Sequence, residues 1–288
     1  MELCNIAVVR ELLARHGFRF SKSLGQNFII DPAVPHEMVH ISGADRNTGV
    51  LEIGPGIGPL TQELCRAAGK VVSVELDQAL YPVLAETMAE FDHFRLIGGD
   101  IMKLDIPALV RQEFPSLRPI VCANLPYNIT SPVLTALVRA KCFSSITVLV
   151  QKEVADRIVA APGTADYGAF SLFMQFYTEP KKCFDVPGSS FVPPPKVTSS
   201  VLHCITADKP RVQVMDEEHF HRTVRAAFAL RRKTLINSLQ TGFGNFSKTQ
   251  LADAVRSVGL SENIRGEQLN LEEFAHLSDA LRKMEMEK

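Results

Sequence analysis

Residues 50–61 read Val50-Leu51-Glu52-Ile53-Gly54-Pro55-Gly56-Ile57-Gly58-Pro59-Leu60-Thr61. This order suits a buried strand, a glycine-rich turn and the start of a helix. Glycines let the backbone approach a ligand closely, and the first turn of a helix offers free N–H groups, so a small ligand is expected on the turn. Outward from this segment, short β-rich runs alternate with helical stretches, which predicts a parallel sheet with crossover helices. Strands are expected at 49–53, 71–75, 94–97, 119–123, 145–150, 177–184 and 197–205. The last two are joined by a Pro/Gly-rich connection containing Pro187, Gly188 and Pro193 to Pro195, so an antiparallel pair is expected there. After the polar stretch Thr206 to Pro210 the pattern turns helical, with Phe220, Val224, Ala227 and Phe228 and then Leu251, Val255 and Val258 at helical spacing. The expectation is an α/β, Rossmann-like seven-stranded domain over residues 1–207 and a small all-α domain over 208–288.

The ligand on the turn is constrained by its glycines. A dinucleotide fingerprint, G-x-G-x-x-G, requires glycine three residues after Gly56, where Pro59 stands. Glu52, Gly54, Gly56 and Gly58 fit instead the E-x-G-x-G-x-G pattern of enzymes that use S-adenosyl-L-methionine, a cofactor with no phosphate. Glu75 closes the next strand about twenty residues on, where a carboxylate can accept hydrogen bonds from both ribose hydroxyls. Asp100 follows the third strand and can accept from the adenine amine, although an acid in that place also serves as a helix N-cap.

The fourth strand runs into Ala123-Asn124-Leu125-Pro126-Tyr127-Asn128-Ile129. An adenine amine is a poor nucleophile because its lone pair is delocalised into the ring, and hydrogen-bond acceptors facing its two hydrogens pyramidalise it. Asn124 can offer its side-chain oxygen and Leu125 its backbone carbonyl. Pro126 biases Leu125 toward an extended backbone, and Tyr127 offers a face on which an extruded base can stack.

With a net charge of −1 the chain carries no global basic footprint. Two windows are nevertheless free of acids: Leu12 to Ile30, with Arg15, Arg19 and Lys22, and His219 to Ala252, with Arg222, Arg225, Arg231, Arg232, Lys233 and Lys248. Such windows are usually solvated faces, and they are also candidate phosphate sites. Six scattered cysteines form no C-x-x-C pair and no cluster with histidine, so reduced thiols and no metal are expected. The first forty residues lack a signal pattern, and the apolar runs are too short to cross a bilayer, so a cytoplasmic protein is expected.

Seven blocks now stand together: Lys22 to Phe28, Glu52 to Thr61, Glu75-Leu76-Asp77, Asn124 to Ile129, Gln151 to Val154, Phe191 to Val197 and Arg231 to Thr234. In these the chain resembles the ribosomal RNA adenine dimethyltransferase family from about Glu11 to Leu281, and within it the small-subunit group, which dimethylates two adjacent adenines of a 3′-terminal hairpin loop. The resemblance implies cofactor contacts from Asn27, Ile29, Gly54, Glu75, Asp100 and Asn124, with Gly56 in the same turn. It sets Asn124, Leu125, Pro126 and Tyr127 around the target adenine and makes Ser21 to Ile30 a lid. It further implies a second stacking face from Phe191, and RNA contacts from the helical tail through Arg222, Arg225, Arg231, Arg232 and Lys233. A helix cannot point five such residues one way, so some of them must serve packing or ion pairs. The implied partner is the small ribosomal subunit, met by a monomer with an open face. Three rivals stay open: a large-subunit adenine methyltransferase, a non-catalytic ribosome-assembly factor, and an NAD-dependent dehydrogenase.

Overall fold

The computed structural model describes residues 1–21, 25–207 and 209–287, so Lys22, Ser23, Leu24, Asp208 and Lys288 lie outside the described residues. The first three open the lid block, and Asp208 and Lys288 bound the expected helical domain. The chain divides into two compact units, Met1–Ala155 with Pro180–Thr206, and Asp156–Glu179 with Ala207–Lys288.

The first unit opens with α1 (Ile6–Arg15), the two-residue strand β1 (Phe28–Ile29) and α2 (Ala33–Ser42). An alternating run follows: β2 (Thr48–Ile53), α3 (Pro59–Ala67), β3 (Lys70–Glu75), α4 (Tyr81–Thr87), β4 (Phe94–Gly98), α5 (Ile106–Glu113), β5 (Arg118–Asn124), α6 (Thr130–Arg139) and β6 (Ser145–Gln151). The helices α7 (Lys152–Val159) and α8 (Ala169–Tyr177) come next, and then β7 (Thr178–Val186), β8 (Phe191–Val192) and β9 (Ser199–Thr206). Every residue of β2 is buried, as is every residue of β6 except Gln151, which is the burial of a parallel strand covered on both faces.

The sheet order is β4-β3-β2-β5-β6-β9-β7. β2 pairs parallel with β3 and with β5, β3 with β4, and β5 with β6, while β9 runs antiparallel to β6 with Leu149 opposite Val201. All seven expected strands are present. Strand order reverses between β2 and β5, and their pairing runs from Thr48 opposite Arg118 to Leu51 opposite Val121. Beyond that pair lie Ile53 on one strand and Asn124 on the other. A crevice at the carboxyl ends of strands on either side of such a reversal is where open α/β sheets take ligands. The glycine turn and the Asn124 loop are thus neighbours by topology.

The second unit holds α9 (Glu217–Phe228), α10 (Leu235–Leu239), α11 (Lys248–Ser257) and α12 (Leu271–Met286), together with α8. Asp216 caps α9 by accepting from His219 N at 3.0 Å, and capping boxes start α11 (Ser247 with Gln250) and α12 (Asn270 with Glu273). Phe176 of α8 stacks on Phe220 of α9 with ring centroids 4.5 Å apart. This aromatic contact assigns residues 156–179 to the helical unit by packing, a grouping that one linear cut near 207 does not express. All six cysteines are free. Among the described residues no helix is long and apolar enough to cross a membrane, and no three His, Cys, Asp or Glu side chains gather as a metal site.

Candidate active site

Gly54 and Gly56 turn the chain out of β2 with φ of 69° and 61°, a left-handed backbone that favours glycine. A Cβ on Gly56 would also lie 2.9 Å from the Phe28 ring, so the turn and β1 are in direct contact. Pro59 follows at the first position of α3, where it removes one of the N–H groups a phosphate would use.

Behind the turn, Glu52 is buried with 1 % of its surface exposed, and one oxygen, Oε2, accepts from Thr61 Oγ1 at 2.8 Å and from Ser73 Oγ at 2.6 Å. Burial pushes its pKa up to about 7, against the two hydroxyl hydrogen bonds, which lower it. Between the ordinary value of 4.5 and about 7 the folded protein holds a proton that the unfolded chain has released. Stability therefore falls as pH rises through that window and levels off above it. At about 1.4 kcal/mol per pH unit the loss is roughly 3 kcal/mol. Glu52→Gln keeps an acceptor for both hydroxyls and removes the charge. Its thermal midpoint without cofactor is expected to match the native protein near pH 5 and exceed it near pH 8. Equal midpoints at both pH values would show that the Glu52 carboxyl titrates normally.

Glu75 ends β3 with 6 % exposure. Its Oε2 accepts from Gly56 N at 3.3 Å and its Oε1 from Asp77 N at 2.9 Å. Burial raises its pKa and the backbone hydrogen bonds oppose the rise. A carboxylate has about four acceptor sites, so two bonds to the backbone leave capacity facing the cleft. Asp100 does act as a cap, its Oδ1 accepting from Met102 N at 2.9 Å. Its Oδ2 meets no donor among the described residues, and Asp100 lines the same cleft.

On the facing side, Asn124 Nδ2 donates to the backbone carbonyl of Asn27 at 3.1 Å. A carbonyl oxygen can only accept, so this contact fixes which end of the amide is which. Asn124 Oδ1 is left without a donor among the described residues. Leu125 N donates to Leu149 O at 3.1 Å, while the Leu125 carbonyl likewise accepts from no described residue. Pro126 has φ −57° and ψ 128°, and its own carbonyl takes Ile129 N at 3.2 Å and Thr130 Oγ1 at 3.1 Å. The loop thus presents two unpaired acceptors side by side. Tyr127 is half-buried, with its hydroxyl 2.6 Å from Ser199 Oγ, and burial raises its pKa. That tether fixes where the far end of its ring sits.

The cleft brings together Asn27, Ile29, Gly54, Gly56, Glu75, Asp100 and the loop Asn124 to Tyr127. Phe191 is not in that lining. Its ring is 1 % exposed inside the core, because Ile29 and Phe191 are opposite partners in the β1–β8 pair. Its strand pairs with the N-terminal arm. Two of the five tail cations take part in ion pairs within the helical unit. Arg222 bonds Glu285 and lies 4.2 Å from the centroid of the Phe243 ring, and Arg231 pairs with Glu267 at 3.2 Å and donates to the Ala165 carbonyl. Arg225, Arg232 and Lys233 are exposed with no side-chain partner among the described residues. In the other acid-free window Arg15 is held by Glu86 at 2.5 Å. Gln26, whose Nε2 donates to Asp77 Oδ2 at 2.7 Å, was missed by sequence reasoning, although both residues stand in blocks that carry the resemblance.

The cleft's charge separates possible ligands. Glu52, Glu75 and Asp100 line it, and no Lys, Arg or His does among the described residues. An acidic lining suits a cationic ligand with hydroxyl and amine donors and opposes a pyrophosphate.

Residues 17–283 match the family model described as ribosomal RNA adenine dimethylase. A relative from Geobacillus thermodenitrificans, named ribosomal RNA small subunit methyltransferase A, is 45 % identical over 276 residues, 94 % of each chain. A relative of the same name from Lactococcus lactis is 43 % identical over 281 residues, 97 % of this chain and 96 % of its own. A solved dimethyladenosine transferase from Plasmodium falciparum, 24 % identical, superposes with a TM-score of 0.73 over 87 % of this chain and 95 % of its own, which shows a shared fold. By this match across most of its length, the chain belongs to the ribosomal RNA adenine dimethylase family.

Proposed function

We propose that the protein uses S-adenosylmethionine to dimethylate the exocyclic amines of two adjacent adenines in the 3′-terminal hairpin loop of small-subunit ribosomal RNA. It acts in the cytoplasm as a monomer during ribosome biogenesis. One observation carries the reading: among the described residues, Asn124 Oδ1 and the Leu125 carbonyl meet no donor, and the Asp, Glu, Lys, Arg and His side chains that line the cleft are all carboxylic. The relatives' names favour the small subunit over the large one.

When bound, the cofactor would supply an electrophilic methyl on a sulfonium, taken by the amine lone pair as the C–S bond gives its electrons to a thioether, with the surplus N–H proton lost to water. Glu75 would hold the ribose hydroxyls, Asp100 would accept from the adenine amine, and the Gly54–Gly56 turn would give the close approach. Asn124 and Leu125 accept from the two hydrogens of the target amine, and Tyr127 stacks on its ring. No general base is required, since the proton is acidic only after transfer. Catalysis is positioning and electrostatics. Arg225, Arg232 and Lys233 take phosphates, and Arg222 and Arg231 hold the helical unit together.

The test is transfer of labelled methyl from S-adenosylmethionine to under-methylated small subunits, followed by nucleoside analysis. Dimethyladenosine is expected on small subunits and none on large ones. In the same assay, replacing Arg225, Arg232 and Lys233 by alanine is expected to raise the KM for subunits and flatten its salt dependence, by roughly 0.7–0.9 of logarithmic slope for each phosphate no longer neutralised. Label in large subunits alone would move the protein to another substrate, and an unchanged salt slope would remove these three residues from the RNA interface.

A further inference from the structure

The residue that fixes Asn124 is not itself in the acceptor loop. It is the peptide carbonyl of Asn27, 3.1 Å from Asn124 Nδ2, and a carbonyl holds its direction only if the chain on either side is held. On the C-terminal side the chain is tied by β1, with Phe28 opposite Val192 and Ile29 opposite Phe191, and by Ile30 N donating to Ser190 O at 2.9 Å. On the N-terminal side, among the described residues, the chain is tied to the end of β3 through the Gln26 side chain. Gln26 Nε2 donates to Asp77 Oδ2 at 2.7 Å, and Gln26 Oε1 accepts from Ser21 N at 2.9 Å, which fixes the orientation of the Gln26 amide. Asp77 is held in turn, with Oδ1 accepting from Ala79 N at 3.0 Å and its own N–H donating to Glu75 Oε1 at 2.9 Å. An unbroken path of hydrogen bonds and one peptide bond therefore leads from Glu75 through Asp77, Gln26 and Asn27 to Asn124.

We propose that Gln26 and Asp77 are positioning residues that hold the Asn27 carbonyl against Asn124, so that the ribose-binding side of the cleft sets the direction of the acceptor that meets the target amine. This rests on the proposed methyl transfer. With the Gln26–Asp77 bond closed, the Asn124 amide has one orientation and Oδ1 faces the substrate. With it open, the Asn27 peptide loses that tie, and Asn124 can turn its NH2 toward an amine that needs an acceptor. Cofactor binding at Glu75 and alignment of the methyl acceptor are then coupled through one strap of chain.

The donor and acceptor pattern provides a reciprocal test. Gln26→Glu sets two carboxylates against each other. Asp77→Asn sets two NH2 groups against each other, and Gln26 cannot turn over to relieve this without pointing its own NH2 at Ser21 N. In the double variant, the carboxylate introduced at position 26 accepts from both Ser21 N and the amide introduced at position 77, whose oxygen still accepts from Ala79 N. Each single substitution is expected to lower kcat at saturating cofactor about tenfold, and the pair to restore it to within about threefold. The direct readout is the Asn124 side-chain amide in 15N spectra of the cofactor-bound protein. Slow hydrogen exchange is expected in the native and double variants and fast exchange in the singles, with thermal midpoints unchanged throughout. A raised KM for cofactor with kcat unchanged would overturn the inference, as would Asn124 amide exchange that is the same in all four proteins. If native protein methylates no subunit, the proposed function fails while the amide exchange still decides the role of the strap.

Discussion

Asn124→Ala is expected to lower the rate of methyl transfer to small subunits about 10²- to 10³-fold, the usual cost of deleting one preorganised electrostatic group at a reacting centre. The fall should appear in kcat, because the ground-state amine can hydrogen-bond to water whereas the developing ammonium needs an acceptor already in place. Asn124→Asp is not a mild alternative. Asn124 Nδ2 is the donor to the Asn27 carbonyl at 3.1 Å. A carboxylate there has no hydrogen to give, so it either repels that carbonyl or turns away, and either outcome misplaces Oδ1. Asp is therefore expected to be impaired nearly as far as Ala despite its equal size. Single-turnover rates with under-methylated subunits, beside calorimetric cofactor affinities, separate the terms. A native single-turnover rate in Asn124→Ala would remove Asn124 from the chemistry. If the rate falls as expected, growth supported by Asn124→Ala would point to an assembly role beside catalysis.

The sheet was legible because its signal is local and redundant. Each strand is a short apolar run, and burial on both faces keeps β2 and β6 apolar along nearly their whole length. Glu52, Gly54 and Gly56 were legible for a similar reason: the turn needs glycine for its backbone, and the strand before it is unmistakable. Long-range pairings left no such mark. The two-residue pair of Phe28–Ile29 with Phe191–Val192 joins segments some 160 residues apart, and nothing in either segment announces the other. A stacking role for Phe191 is the natural reading of its motif, although the packing it serves is in the core. Residues 156–179 pack in the helical unit through the Phe176–Phe220 stack, an apolar contact that no linear boundary can express. The basic tail was legible as a charge window but not as an interface. Whether an arginine is free depends on where Glu285 and Glu267 arrive from α12 and the turn before it, which sequence spacing does not give.

The largest effect on cofactor binding is expected at Glu75. Its loss removes two charge-assisted hydrogen bonds to the ribose, each worth about 1.5–3 kcal/mol, so Glu75→Ala should weaken S-adenosylmethionine at least about 100-fold. Glu75→Gln is expected to come close to that loss for a reason specific to this site. Both carboxylate oxygens accept from the backbone, Oε2 from Gly56 N and Oε1 from Asp77 N. An amide can satisfy only one of these, and its NH2 must face the other N–H, at the glycine turn itself or at the start of the Asp77 latch. The pH dependence follows from the sign of the shift. Burial raises the Glu75 pKa above 4.5 in the free protein, and ribose hydroxyls donate more strongly to the ionised form. Affinity is therefore full above the raised pKa and falls as pH drops through it, with proton release on binding in that range. Calorimetry in two buffers of different ionisation enthalpy, from about pH 5 to about pH 8, reads both the affinity and the released proton. A pH-independent affinity, or one that Glu75→Gln leaves unchanged, would move the ribose anchor to Asp100.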